Sequence, residues 1–136
     1  MDTKRFNQSI IEEFRANEGK VGGRFAQIPL LLLTTEGAKT ARVRTNPLVY
    51  ASKNDRYFVA ASYAGAPTNP PWYYNLMANP DVQVEVGSER FRAQAKVLKE
   101  PERTERFEKM IEVLADFSEY QKKTIRVIPV IELTRR

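Results

Sequence analysis

The sequence predicts an α+β fold: a curled antiparallel sheet of about six strands, closing into a small open or split β-barrel with flanking helices. Three observations carry this. Strand-like segments come in groups rather than alternating strictly with helices, which favours antiparallel pairing. Helical segments are inserted between and around those groups. No GxGxxG follows a strand to open a helix, which argues against a Rossmann arrangement. The 136 residues make room for one domain, residues 1–136, and no repeat or linker divides it.

Each element has its own signal. Phe6, Ile10, Ile11 and Phe14 lie at helical spacing, and Asn17 with Gly19 supplies a stop. Residues 20–24, glycine-rich, read as a link. The apolar run 28–35, bounded by Pro29 and Gly37, reads as a strand buried on both faces. A turn at Gly37 leads through a basic segment into a strand over 43–51, and Lys53-Asn54-Asp55 turns into a strand over 56–62. A small-residue loop at 63–68 precedes a helix that Asn69 is expected to cap, with Pro70 and Pro71 in its first positions. Trp72, Leu76 and Met77 are its expected inner face, and Pro80 closes it. Val82, Val84 and Val86 alternate with polar residues, and Gly87-Ser88 turns into a strand over 89–98. Pro101 opens an amphipathic helix with Phe107, Met110, Ile111 and Leu114 on one face. A short helix over 118–124 and a closing strand over 127–133 complete the reading.

Composition removes whole classes of chemistry. The chain has no histidine and no cysteine, so Ser-His-Asp and Cys-His arrangements, disulfides and ordinary zinc sites are absent. The acids form no metal-loop pattern, and no metal is expected. No apolar run approaches the roughly 18 residues of a membrane span, and the N-terminus does not read as a signal peptide, so cytoplasmic residence is the expectation. Chemistry here is therefore carried by something the protein binds. The net charge of +5 suggests an anionic partner. Lys39, Arg42 and Arg44 fall close together without an intervening acid, which is too short a basic stretch for a nucleic-acid module.

Five segments could carry function. The stretch 37–44 offers spaced cations, amides and a threonine hydroxyl to a phosphate, and on composition is equally well a solvated hairpin tip. Pro47, after Asn46, marks an edge, a strand start or a bulge. The small residues of 60–66 would let a backbone or a planar ring approach closely. Trp72, Tyr73 and Tyr74 cannot all face one core, because successive helical positions are about 100° apart. Tyr120 could donate a proton or be structural, its unperturbed pKa near 10 making it a weak acid.

In this order the segments resemble the deazaflavin-dependent nitroreductases, also described as F420-dependent quinone reductases. The stretches PLLLLTTEGAKTARVRTNPLVY, VAASYAGAPTNPPWYYNLMANPDVQVEVG and EYQKKTIRVIPVIEL carry the likeness, and EEFRANEGKVGGRF adds to it. The resemblance implies a split barrel of the FMN-binding type that holds coenzyme F420, an 8-hydroxy-5-deazaflavin with a phosphate and a glutamate tail. It implies that Lys39, Thr40 and Arg44 hold the phosphate, that Asn46, Pro47, Ala60 and Ser62 lie beside the ring, and that Trp72 and Asn75 belong to the helix closing the pocket. Tyr120 would stand on the acceptor side. The implied reaction is hydride transfer from the reduced coenzyme to a quinone, nitro-aromatic or other electron-poor acceptor. Ser62 would stabilise developing charge, and Tyr120 or water would supply the proton. Ala41, Val43 and Tyr63 stand where glycine, proline and lysine are common in the family. Leu114 and Phe117 replace tyrosines of a nitroreductase-type member, leaving fewer hydroxyls for nitroimidazoles. An FMN-dependent split-barrel oxidoreductase and a non-catalytic flavin- or lipid-binding protein are the alternatives. A homodimer and peripheral contact with the inner face of the membrane are further expectations of the resemblance.

Overall fold

The computed structural model describes residues 3–136, with the side chains of Thr3, Lys4 and Arg24 left aside. Seven strands, one more than the expected six, form a single antiparallel sheet in the order β2-β1-β5-β6-β7-β4-β3. They are β1 (Leu30–Glu36), β2 (Val43–Val49), β3 (Ala51–Lys53), β4 (Arg56–Ala60), β5 (Asp81–Val86), β6 (Glu89–Val97) and β7 (Val130–Arg135). The extra strand arises at Tyr50. That residue alone separates β2 from β3: its N–H extends the β1–β2 pairing to the Pro29 carbonyl at 3.2 Å, and the next residue, Ala51, pairs with Phe58 of β4. Since β2 and β3 stand at opposite ends of the sheet order, a one-residue link between them forces the sheet to curl until its edges nearly meet. This curl makes the half-open barrel. Pro47, opposite Leu32 on β2, occupies an edge strand, where a missing ladder donor is tolerated.

Strand alternation sends side chains to two faces. Leu31 and Leu33 of β1, Val59 of β4, Val82 and Val84 of β5, Phe91, Ala93 and Ala95 of β6, and Ile131 and Leu133 of β7 fill the barrel. Ala61, just past β4, joins them. The helix α2 (Pro71–Ala78) plugs one end with Trp72 and Leu76. On the outer face α1 (Thr3–Ala16) lays Ile10, Ile11 and Phe14 over Leu30 and Leu32. The helices α3 (Glu102–Val113) and α4 (Asp116–Lys122) cover Phe58, Ala60 and Val130 with Phe107, Met110 and Phe117. Each large aliphatic side chain buried this way contributes about 1.5–3 kcal/mol.

Several local expectations shift. Met77 is exposed rather than inward, because the plug needs only the Trp72/Leu76 stripe of a two-turn helix. Pro70, not Asn69, stands at the N-cap of α2, and Asn69 turns away to Arg126. The short helix begins two residues early, at Asp116, and the closing strand begins three residues late, at Val130. In the gap, Pro129 has no N–H to give and only its carbonyl accepts from Ala61 N–H at 2.9 Å, while Ile128 is wholly buried and its N–H goes to the Gln121 side chain at 3.0 Å.

Candidate active site

An open cleft of about 630 Å³ lies between the β1–β2 hairpin and α2. Its hairpin wall carries Lys39, Thr40, Arg42 and Arg44, and the opposite wall is built from Asn69, Pro71, Tyr74 and Asn75. The hairpin tip is shaped by its own bonds. Gly37 N–H donates to the Arg42 carbonyl at 2.7 Å, and a Cβ at Gly37 would sit 2.8 Å from the Thr40 carbonyl oxygen, so only glycine fits without a shift. Asn75 then fastens the tip to the helix. Its Oδ1 accepts from Ala38 N–H at 3.0 Å and its Nδ2 donates to Thr35 Oγ1 at 3.2 Å. Thr35 is buried, so the amide anchors to a fixed point. Both ends of Asn75 are thus spent on the protein, and it positions the basic tip.

The cations of the tip are exposed, and among the described residues Lys39, Arg42 and Arg44 enter no salt bridge. Three positive charges aimed at one cleft with no carboxylate partner form a donor set for an anion. Two are guanidinium forks, matched to phosphate or carboxylate oxygens, and lysine acts as a point charge. An anionic, phosphate-bearing coenzyme fits this wall.

A second structure adjoins the cleft. The chain leaving β4 turns through Tyr63 and Ala64, both in the left-handed region at φ 48° and 54°. For residues with a Cβ this costs roughly 1–2 kcal/mol each. Arg126 offsets the strain. Its Nε donates to the Ala66 carbonyl at 2.9 Å, Nη1 to the Ala61 carbonyl at 3.0 Å and Nη2 to the Ser62 carbonyl at 2.8 Å. Nη1 also donates to Asn69 Oδ1 at 2.7 Å. Burial pulls the guanidinium below its ordinary pKa, and Tyr74 nearby opposes that shift. Beyond the turn, Gly65 lies so close to α4 that a Cβ would meet the Tyr120 carbonyl oxygen at 2.8 Å.

The expected site residues fall into separate places. Lys39, Thr40, Arg44 and Asn75 converge on the cleft. Asn46 and Pro47 are half-buried along the edge strand β2 that leads from it. Ser62 is half-buried in the loop held by Arg126, and its hydroxyl bonds no described group. Tyr120 packs edge-on against Phe117, ring centroids 6.0 Å apart, with the Lys123 ammonium over its face, and does not line the cleft. Ala60 and Trp72 are buried at 7% and 5% exposure, Ala60 under α3 and α4 and Trp72 in the barrel. Of the three consecutive aromatics, Trp72 is buried, Tyr73 is half-buried, and Tyr74 is 49% exposed on the cleft wall. Arg126 and Asn69 escaped the sequence reading of the site. Their partners lie about 60 residues away along the chain, so no local pattern signals them.

Comparison with known proteins bears on the family and the fold. The F420H(2)-dependent quinone reductase family model matches residues 6–135. The F420H(2)-dependent quinone reductase Rv1261c of Mycobacterium tuberculosis is 42% identical over 127 residues, 90% of this chain and 85% of that protein. Among solved structures, an F420-H2 dependent reductase (FDR-A) superposes with a TM-score of 0.73 at 38% identity, covering 77% of this chain and 93% of that one. A domain-swapped dimer superposes at 0.75 and 35% identity over 96% of both chains. With a cation-lined cleft at the mouth of a split barrel and these relatives along nearly its whole length, the chain belongs to the F420H(2)-dependent quinone reductase family.

Proposed function

We propose that this protein binds reduced coenzyme F420 with its anionic tail against the hairpin tip and its ring along β2 and the 60–66 loop, and reduces a quinone there. The observation that carries the reading is the set of three unpaired cations on one cleft wall. The bound coenzyme would supply the hydride, which no amino-acid side chain can.

The chain's own residues bind, orient and shield. Lys39, Thr40 and Arg44 grip the tail, with Arg42 adding charge, and Asn75 keeps them aimed by tying the tip to α2. Asn46 and Pro47 border the ring. Trp72 and Ala60 support the walls from within, where their burial places them. The free Ser62 hydroxyl stabilises negative charge that develops during transfer. Tyr120, on α4 beside the loop rather than on the cleft wall, or water would supply the proton that completes reduction. Other electron-poor acceptors such as nitro-aromatics would enter by the same side.

Tyr63, Ile125 and Val127 are exposed apolar residues flanking the loop and the Arg126 clamp. They would give a lipid-soluble quinone a water-poor approach and let the enzyme rest on a membrane surface. Among the described residues no helix is long and apolar enough to cross a membrane. We also read the protein as a homodimer, since a relative of the same length forms a domain-swapped one.

The test is a calorimetric titration of the purified protein with F420 and, separately, with FMN. Saturable F420 binding that is lost in Lys39→Ala/Arg44→Ala, with FMN far weaker, is the expected result. Equal or stronger FMN binding would assign the cleft to a different coenzyme. Tyr120→Phe with unchanged turnover on every accepted quinone would remove that residue from the reaction.

A further inference from the structure

Two asparagines stand on the same wall of the cleft, and only one of them spends both ends of its amide on the protein. Asn75 uses both its oxygen and its nitrogen on protein groups. Asn69 uses its oxygen alone. A guanidinium has five donors and no acceptor, so the Arg126 contact at 2.7 Å admits only Oδ1 and forces Nδ2 to the opposite side. Nδ2 has no partner among the described residues. It is not sealed in the protein either, because no buried side-chain nitrogen or oxygen among them lacks a partner. Asn69 lines the cleft, which offers that nitrogen open space.

We infer that Asn69 is a coenzyme-binding residue: Arg126 holds its carboxamide in one orientation, so that its two N–H donors point at an acceptor oxygen of the bound anion. The inference rests on the reading that the basic cleft holds the coenzyme. It adds a neutral, directional donor to a wall otherwise made of charges. Arg126 itself is a positioning residue here. It acts through Asn69 and through the loop carbonyls it holds, and a lysine at that position could not reach four acceptors in two directions at once.

Asn69→Asp is the sharpest variant. It keeps an oxygen for Arg126, and so the loop clamp, while exchanging the donors for an acceptor. The dissociation constant for F420 is measured by calorimetry in the wild type, Asn69→Asp and Lys39→Ala, at low salt and at 0.5 M salt (roughly a 4–5 Å screening length). Thermal midpoints are recorded in parallel. The expected result is binding weaker by about tenfold or more in Asn69→Asp at both salts, with the midpoint unchanged or raised. In the unaltered protein labelled with ¹⁵N-asparagine, the Asn69 side-chain NH₂ signals should shift as F420 saturates, and this decides the matter even should the variant fail to fold. The signal is assigned by its loss in Asn69→Ala.

Undiminished binding in Asn69→Asp, or NH₂ signals that stay fixed through saturation, overturns the inference. If Lys39→Ala is weakened at the same time, the parent reading of the cleft stands. Should Lys39→Ala also bind normally, the cleft is not the coenzyme site and both fall together.

Discussion

Two groups of charges in this molecule behave oppositely in structure. On the outer face of β5, Glu85 is nearly buried, yet Arg15 of α1 reaches it with two hydrogen bonds of 2.9 and 3.1 Å and Arg90 stands 3.6 Å away. The Arg15 hydrogen bond, ahead of the cost of burial, holds the Glu85 carboxyl below the usual range and raises Arg15 in turn. That cluster is internally satisfied and fastens a helix to a sheet. At the β1–β2 tip, Lys39, Arg42 and Arg44 repel one another with no acid between them. A fold gains nothing from such a set. What separates structural from functional charge here is whether the protein itself supplies the partner.

Removing both kinds of charge tests this division. The largest effect should come from Lys39→Ala combined with Arg44→Ala. F420 affinity is expected to fall about a hundredfold or more, from two lost charge-assisted contacts, while the urea midpoint stays put. Glu85→Gln should do the reverse, costing about 1–3 kcal/mol of stability in urea unfolding with the F420 dissociation constant unchanged. The same pair predicts an acid response. Because the folded carboxyl is shifted down, its stabilisation is present above the unfolded value, about 4.3, and is lost as pH falls through the lower folded value. Unfolding curves of wild type and Glu85→Gln should therefore converge in acid. Gly37→Ala should weaken coenzyme binding by about tenfold or less, through displacement of the tip, with a small loss in the melting midpoint from the shifted backbone. Smallest of all, Lys109→Ala removes an exposed i,i+3 pair with Glu112 at 3.5 Å and should move stability by less than about 0.5 kcal/mol.

Local periodicity made most of the barrel legible. The alternation at Val82, Val84 and Val86, the apolar run of β1 and the helical face at Phe107 and Met110 all appear where their spacing puts them. The miscounted strand was lost at Tyr50, where the chain stays extended but changes partners, and extended residues on either side carry no mark of that. Met77 was misplaced because a two-turn helix has too few positions for its inner face to be read from spacing. In the site, the cations of the tip could be named from composition and family likeness together. Asn69 looked like a cap because asparagine before proline usually is one, and Arg126, which claims its oxygen, lies 57 residues downstream.

The place of β7 bears on how the molecule comes into being on the ribosome. That strand sits between β6 and β4 and is the sole ladder joining the β2-β1-β5-β6 group to the β4–β3 hairpin. A nascent chain that has not yet exposed residues 130–135 thus holds two pieces of sheet joined through Tyr50 but by no ladder of hydrogen bonds. The larger piece carries Leu31, Leu33, Val82, Val84, Phe91, Ala93 and Ala95 of the barrel lining, and the hairpin brings Val59. Arg126, which braces the loop beside the cleft, emerges only just ahead of that strand. Barrel closure and the bracing of the cleft consequently wait on the same short stretch of chain.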